Sequence, residues 1–130
     1  LMLSRCLAKQ PLPIYGRGVN VRDWIYVGDH VEAIWTILRR GQKGQTYNIG
    51  GNCEMSNLEL VHSLIDTLAE HLDVDPEDYR SLIRFVADRP GHDFRYAIDA
   101  SKMEEEFDWR PRFSWSQGVK KTVQWYVKNL

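Results

Sequence analysis

Residues 83–93 read Ile83-Arg84-Phe85-Val86-Ala87-Asp88-Arg89-Pro90-Gly91-His92-Asp93. The apolar and aromatic residues at the start of this stretch predict a short strand. The Pro90-Gly91 pair predicts a turn directly after it, because proline fixes its own φ and glycine permits a positive φ. The turn therefore holds Arg89, His92 and, shortly after, Arg95 at the end of a strand.

Two interpretations of this turn are open from the residues alone. The planar fork of an arginine matches the oxygens of a phosphate or diphosphate group, which favours an anion-binding site. Alternatively, the turn is a solvated basic segment in which Arg89 and Arg95 pair with nearby carboxylates, a common arrangement at protein surfaces. The available partners would be Asp88, Asp93 and Asp99.

Composition narrows the class of protein. The chain has 130 residues with 17 basic and 18 acidic side chains, so its net charge is −1 and no basic field for nucleic acid is evident. We find no signal peptide and no apolar run near the ~20 residues that span a bilayer. Cys6 and Cys53 lie far apart with no metal-ligand spacing, which indicates free thiols in a reducing cytosol and no metal site.

Helices and strands alternate, which predicts the α/β class with few short strands and several helices. Strands are expected at residues 12–15, 21–27, 46–49 and 83–87, and helices at residues 1–9 and from Asp99 to about Phe107. Further helices are predicted from capping boxes and apolar stripes. The boxes are Asp29/Glu32, Ser56/Glu59 and Ser114/Gln117, and the stripe after the first of them is Val31, Ile34, Trp35 and Leu38.

Three or four strands are too few for a doubly wound sheet. The chain also opens inside an apolar helical turn without a capping residue. We therefore expect residues 1–130 to be one piece of a longer protein, a fragment that lacks an N-terminal Rossmann half.

Gly16-Arg17-Gly18 imitates a dinucleotide fingerprint but lacks its third glycine, and a strand follows instead of a helix, so we reject it as a cofactor site. No nucleophile stands next to a base, and no close pair of carboxylates lies in an apolar frame. The sequence therefore predicts binding of anions and rings, with no catalytic residue.

Arg22 and Asp23 interrupt a strand that otherwise reads as buried. Because a buried charge is costly unless it is paired, either the two side chains neutralise each other or Arg22 points at an anionic ligand while Asp23 holds the backbone. Asn57, at the start of a capped helix, could hydrogen-bond a ligand or form a local turn. Pro13 and Tyr15 could offer a flat surface and a hydroxyl to a base or sugar ring, or could simply pack at a sheet edge.

Several segments together resemble the C-terminal portion of the dTDP-glucose 4,6-dehydratases, which are extended short-chain dehydrogenase/reductases that use NAD. The similar segments are Leu12-Pro13-Ile14-Tyr15-Gly16, residues 21–30, Thr46-Tyr47-Asn48-Ile49-Gly50-Gly51, residues 86–99 and residues 118–126. The similarity runs through the whole chain but covers only about the last third of a typical member. Residues 89–99 are the segment most specific to this family, because the other segments also occur in nucleotide-sugar epimerases and decarboxylases.

The resemblance implies a substrate-binding lobe, spanning residues 1–130, for dTDP-glucose or a related nucleotide sugar. Its implied contacts are Pro13 and Tyr15 beside the nucleotide, Arg22 and Arg89 on the diphosphate, and Asn57 and His92 as hydrogen-bonding residues. NAD and the groups that eliminate water would belong mainly to the N-terminal half. The fragment alone would be inactive, and its parent would be a cytoplasmic homodimer that supplies 4-keto-6-deoxy sugars for polysaccharides.

Two other functions remain open at this point. The parent could be a UDP-sugar epimerase or decarboxylase, which shares the broader motifs. The chain could also be a free-standing, non-catalytic lobe that binds a nucleotide sugar.

Overall fold

Six helices and four short strands make up the chain, and the computed structural model describes residues 1–130 throughout. In chain order they are α1 (Met2–Leu7), β1 (Leu12–Tyr15), β2 (Val21–Asp23), α2 (Val27–Arg40), β3 (Glu54–Ser56), α3 (Asn57–Leu72), α4 (Glu77–Arg80), β4 (Ile83–Val86), α5 (Ser101–Phe107) and α6 (Trp115–Asn129). The α/β class with few strands and several helices is confirmed. None of the helices combines the length and apolar character that a membrane crossing requires.

The strands form two small sheets. β1 runs parallel to β4, with Leu12 beside Ile83, whereas β2 runs antiparallel to β3. The chain after β4 then returns to β2, where the N–H of Val21 donates to the oxygen of Phe94 at 2.8 Å and the N–H of Tyr96 donates to the oxygen of Val21 at 3.1 Å. The predicted turn therefore connects one sheet to the other.

The main core lies between β1 and the helices α1, α3 and α6. Leu12 and Ile14 point into it, so the alternation of a strand places Pro13 and Tyr15 on the opposite face. Helix α3 contributes the part of its apolar stripe that meets the core, which consists of Val61, Ile65 and Leu68. The outer face of β1 is thereby left for other contacts.

Two predicted capping boxes are present and one is not. Ser56 with Glu59 and Ser114 with Gln117 cap α3 and α6 in both directions. The box predicted from Asp29 is wrong, because α2 begins earlier, at Val27. Asp29 instead lies in the first turn with 1% of its surface exposed, and its carboxylate accepts the N–H of Phe113 at 3.2 Å.

Two predicted strands also differ from the structure. β2 ends at Asp23, because the chain turns after Trp24 to start α2. Residues 46–49 are not a strand, since no other strand lies beside them. Side chains hold this segment against α5 instead: the Tyr47 hydroxyl lies 3.0 Å from the carboxylate of Glu106, and the Asn48 amide donates to the oxygen of Asp99 at 3.2 Å.

Candidate functional site

Tyr15 and the turn after β4 lie at the same edge of a sheet. Because β1 and β4 are parallel, their carboxyl ends meet there, and the N–H of Gly16 donates to the oxygen of Val86 at 2.9 Å. Gly16 has a φ of +57°, and a Cβ at this position would lie 3.0 Å from Oδ2 of Asp88. A glycine here lets the two chain segments approach closely.

His92 is the residue of the turn that Tyr15 meets directly. The two rings lie edge to face with 6.4 Å between their centroids. Nδ1 of His92 lies 2.7 Å from Oδ1 of Asp88, and that oxygen also accepts the N–H of Arg89 at 2.8 Å. The hydrogen bond from His92 is the main cause that lowers the pKa of the Asp88 carboxyl, with help from Arg89. Asp88 therefore organises the turn that carries both candidate residues.

Arg22 is bound to the backbone of the same turn. Its guanidinium donates to the oxygen of Val21 at 2.6 Å and to the oxygen of Asp93 at 3.0 Å, and it lies 4.4 Å from the centre of the Tyr96 ring. Arg22 does not pair with Asp23. Of the two interpretations above, the structure supports the one in which Asp23 holds the backbone.

Asp23 has a separate structural role. Its two carboxylate oxygens accept the N–H groups of Gly51 and Cys53, both at 2.7 Å. This pair of bonds fixes the bend between residues 49 and 53, next to β3. The charge of Asp23 is thus balanced by backbone dipoles, and Arg22 keeps a full positive charge near the turn.

Arg89 and Arg95 have different surroundings. Arg95 donates twice to the carboxylate of Glu54, at 2.7 Å each. Arg95 is therefore paired with a carboxylate, but with one that lies on β3 and not near the turn. The guanidinium of Arg89 makes no ion pair within the chain. The alternative interpretation, in which both arginines pair with aspartates near the turn, therefore holds for neither of them.

Arg22 and Arg89 belong to the same region of the fold, because Arg22 donates to the oxygen of Asp93, four positions after Arg89. The phenol of Tyr96 lies on the segment that follows. Its hydrogen bond to Asp93 is the main cause that raises its pKa. The positive charges of Arg22 and Arg89 both act on the same phenol and lower its pKa. Two cationic groups are therefore close to one surface region, as a diphosphate requires.

Asn57 reaches the same region through a neighbour. Its backbone N–H donates to the oxygen of Asn20 at 3.0 Å, and the buried amide of Asn20 donates to the oxygen of Asp93 at 3.2 Å. The side-chain amide of Asn57 has no partner within the chain and is half-buried. Pro13 stands on the same outer face of β1 as Tyr15, in register with Arg84.

The sequence interpretation missed three residues of this region, namely Asn20, Asp88 as the partner of His92, and Tyr96. The role of Asp88 could have been predicted, because an aspartate and a histidine stand at i and i+4 across a Pro-Gly turn. Asn20 and Tyr96 could not, because their contacts join residues more than 70 positions apart, which no local sequence pattern reveals.

The largest cavity of the molecule lies elsewhere. It measures about 760 Å³ and is lined mainly by apolar residues of the segment 24–27, α3 and α6, with Lys121 as its only charged group. None of the six candidate residues lines it. A diphosphate needs cationic donors, and Arg22 and Arg89 both lie outside this cavity.

Comparison with known proteins identifies the family. Residues 1–122 match the family described as GDP-mannose 4,6 dehydratase. The chain belongs to this family. A dTDP-glucose 4,6-dehydratase of Xanthomonas campestris pv. campestris is 48% identical over 99% of this chain. The chain spans 37% of that relative, and its match to the C-terminal portion confirms the predicted resemblance.

Solved structures of this dehydratase family and its neighbours share the fold. A dTDP-glucose 4,6-dehydratase from Streptomyces venezuelae, with NAD and dTDP bound, is 41% identical with a TM-score of 0.85, and the match covers 98% of this chain and 37% of that one. A UDP-glucose 4-epimerase from Thermotoga maritima with UDP-glucose is 27% identical with a TM-score of 0.80, at 98% and 38% coverage. The lobe is therefore common to enzymes with different reactions.

Neither glycine pair of this chain fits the diphosphate of NAD. Gly16-Arg17-Gly18 is followed by β2, so no helix N-terminus is available behind it. At Gly50-Gly51, the N–H of Gly51 already donates to Asp23. We therefore assign no cofactor contact and no cofactor-dependent step to residues 1–130.

Proposed function

We propose that residues 1–130 form the nucleotide-sugar-binding part of a dTDP-glucose 4,6-dehydratase. The complete enzyme, a lyase, converts dTDP-glucose to dTDP-4-keto-6-deoxy-glucose with loss of water. The observation that carries the proposal is that Arg22 donates to the backbone of the turn that carries Arg89, while no carboxylate pairs with either guanidinium. The high identity to dTDP-glucose 4,6-dehydratases supports the substrate.

The six site residues divide by chemistry. Arg22 and Arg89 bind the diphosphate, since each guanidinium offers several donors and Arg22 uses only some of them on backbone oxygens. Pro13 and Tyr15 provide an apolar face and a hydroxyl beside the nucleotide, and Asn57 and His92 add hydrogen bonds. These residues bind and orient the substrate.

The remaining steps belong to other parts of the complete protein. NAD is bound mainly there, together with the acid and base groups. We further propose that the complete protein is a homodimer in the cytoplasm, with no nucleic acid or membrane as partner.

A competition assay on the complete purified protein tests the proposal. We expect dTDP-glucose to be converted to a keto product, detected by its absorbance in alkali, and dTDP to inhibit far better than UDP. Preferential turnover of a UDP-sugar would instead identify an epimerase or decarboxylase. Binding without any turnover by the complete protein would indicate a non-catalytic lobe.

A further inference from the structure

The imidazole of His92 is held at one nitrogen and open at the other. Nδ1 bonds to Asp88, and only 7% of the side chain is exposed. Nε2 has no partner within the chain. Because no buried side-chain nitrogen or oxygen of the protein lacks a hydrogen-bond partner, Nε2 reaches the surface.

The partner of Nδ1 decides what Nε2 can do. An ionised carboxylate only accepts hydrogen bonds, so the proton of a neutral imidazole must sit on Nδ1. Nε2 then carries a lone pair and is able to accept a hydrogen bond. Asp88 is itself held in place, since it accepts the N–H of Arg89 at 2.8 Å and packs against Gly16.

We propose that Asp88 is a positioning residue, which fixes the tautomer of His92 so that Nε2 accepts a hydrogen bond from the nucleotide sugar. This inference rests on the proposed function. The group that it recognises is a donor, either a hydroxyl of one of the sugar rings or the imide N–H of the base. It is not a phosphate oxygen, because an ionised phosphate oxygen only accepts hydrogen bonds. We propose Arg22 and Arg89 as the donors to the phosphates.

The tautomer can be read without any ligand. The complete protein is labelled with ¹⁵N in its histidine rings, and the His92 signals are assigned by their loss in His92→Gln. At a pH where the ring is neutral we expect the proton on Nδ1. Asp88→Ala should move it to Nε2, and Asp88→Asn, which keeps an acceptor oxygen, should largely restore the original state.

A matched control is Asp75→Ala. Asp75 also accepts a backbone N–H in an exposed turn, from Glu77 at 2.9 Å, but lies away from the site. This variant should leave the His92 signals unchanged. A proton on Nε2 in the unsubstituted protein would overturn the positioning role, whatever the enzyme turns over.

Steady-state kinetics with dTDP-glucose then test the link to the substrate. We expect Asp88→Ala and His92→Gln each to raise KM about three- to tenfold with little change in kcat, the scale of one hydrogen bond. Because Asp88 acts through His92, the double variant should be no worse than His92→Gln alone. An equal further loss in the double variant would show that Asp88 acts independently and would overturn the inference.

The outcomes separate this inference from the proposed function. Failure of the unsubstituted complete protein to turn over dTDP-glucose contradicts the proposed function. The tautomer measurement still decides the role of Asp88 in that case, because it needs no substrate.

Discussion

Arg89 and Arg95 both lie on the segment that runs from β4 back to β2, yet only Arg95 forms an ion pair within the chain. Glu54 stands on β3 and takes both of its donors, so Arg95 fastens the segment to the sheet. Arg89 directly precedes Pro90-Gly91 and makes no ion pair within the chain, so its side-chain donors are available to the diphosphate proposed above. Arg95 is therefore a structural arginine, whereas Arg89 is the one that we propose to bind a ligand.

Replacing Arg89 with alanine should weaken binding of dTDP to the complete protein by about 1.5–3 kcal/mol, the scale of a hydrogen bond to a charged group. The measurement is titration calorimetry. Arg39→Ala is a matched control, because this exposed arginine of α2 makes no ion pair and lies 5.6 Å from the centre of the Trp35 ring. Unchanged affinity in the Arg89 variant would remove this residue from the site.

Cys6 gives a prediction of pH dependence. Burial in the core raises the pKa of its thiol to about 11 from an ordinary 9.0. The unfolded chain therefore loses this proton at a lower pH than the folded chain, so the contribution of Cys6 to stability is full below pH 9.0 and declines toward pH 11. We expect the free energy of unfolding of Cys6→Ala to fall less steeply over this interval in denaturant titrations. Equal slopes for both proteins would contradict the prediction.

At the residue scale, sequence analysis was most successful where partners are close along the chain. It grouped Arg89 with His92 because three positions separate them and a Pro-Gly turn joins them. It could not choose a role for Arg22, since the oxygen that Arg22 binds belongs to Asp93, 71 positions away. Only the folded chain shows that this arginine is free of carboxylates.

At the scale of elements, capping explains which helix starts could be predicted. The capping boxes at Ser56 and Ser114 were predicted correctly because each is complete within four residues and follows a non-helical segment. Asp29 and Glu32 have the same spacing, but α2 starts before them. The carboxylate of Asp29 accepts the N–H of Phe113 instead. A local pattern cannot show that a distant N–H competes for a carboxylate.

Ser56→Ala should lower the stability of the complete protein by about 1 kcal/mol, since it leaves N–H groups at the start of α3 without an acceptor. Thermal unfolding measures the loss. Ser81→Ala is the matched control, because this hydroxyl donates to the oxygen of Asp78 and caps no helix N-terminus. A loss no larger than in the control would show that the Ser56 box contributes little.

At the scale of the whole molecule, α2 exposes an apolar stripe. Ile34, Trp35 and Leu38 are 49%, 55% and 73% exposed. Exposed apolar surface of this extent is unusual unless something covers it. The sequence pattern predicted the helix from this stripe, but a period of 3.6 residues says only that a helix has an apolar face and not which surface meets it.

We expect this chain to bind substrate and the rest of the complete protein to supply the catalytic groups. The 130-residue chain produced alone, with dTDP-glucose and NAD added, should form no keto product. The physical reason is that Asp23 already occupies the N–H of Gly51 and β2 follows the other glycine pair, so neither pair is available to the diphosphate of NAD. Absorbance of the keto product in alkali measures turnover, with the complete protein at equal concentration as control and far-ultraviolet circular dichroism to verify that the chain is folded. Turnover by the isolated chain would place catalytic groups among these residues and contradict the division proposed here.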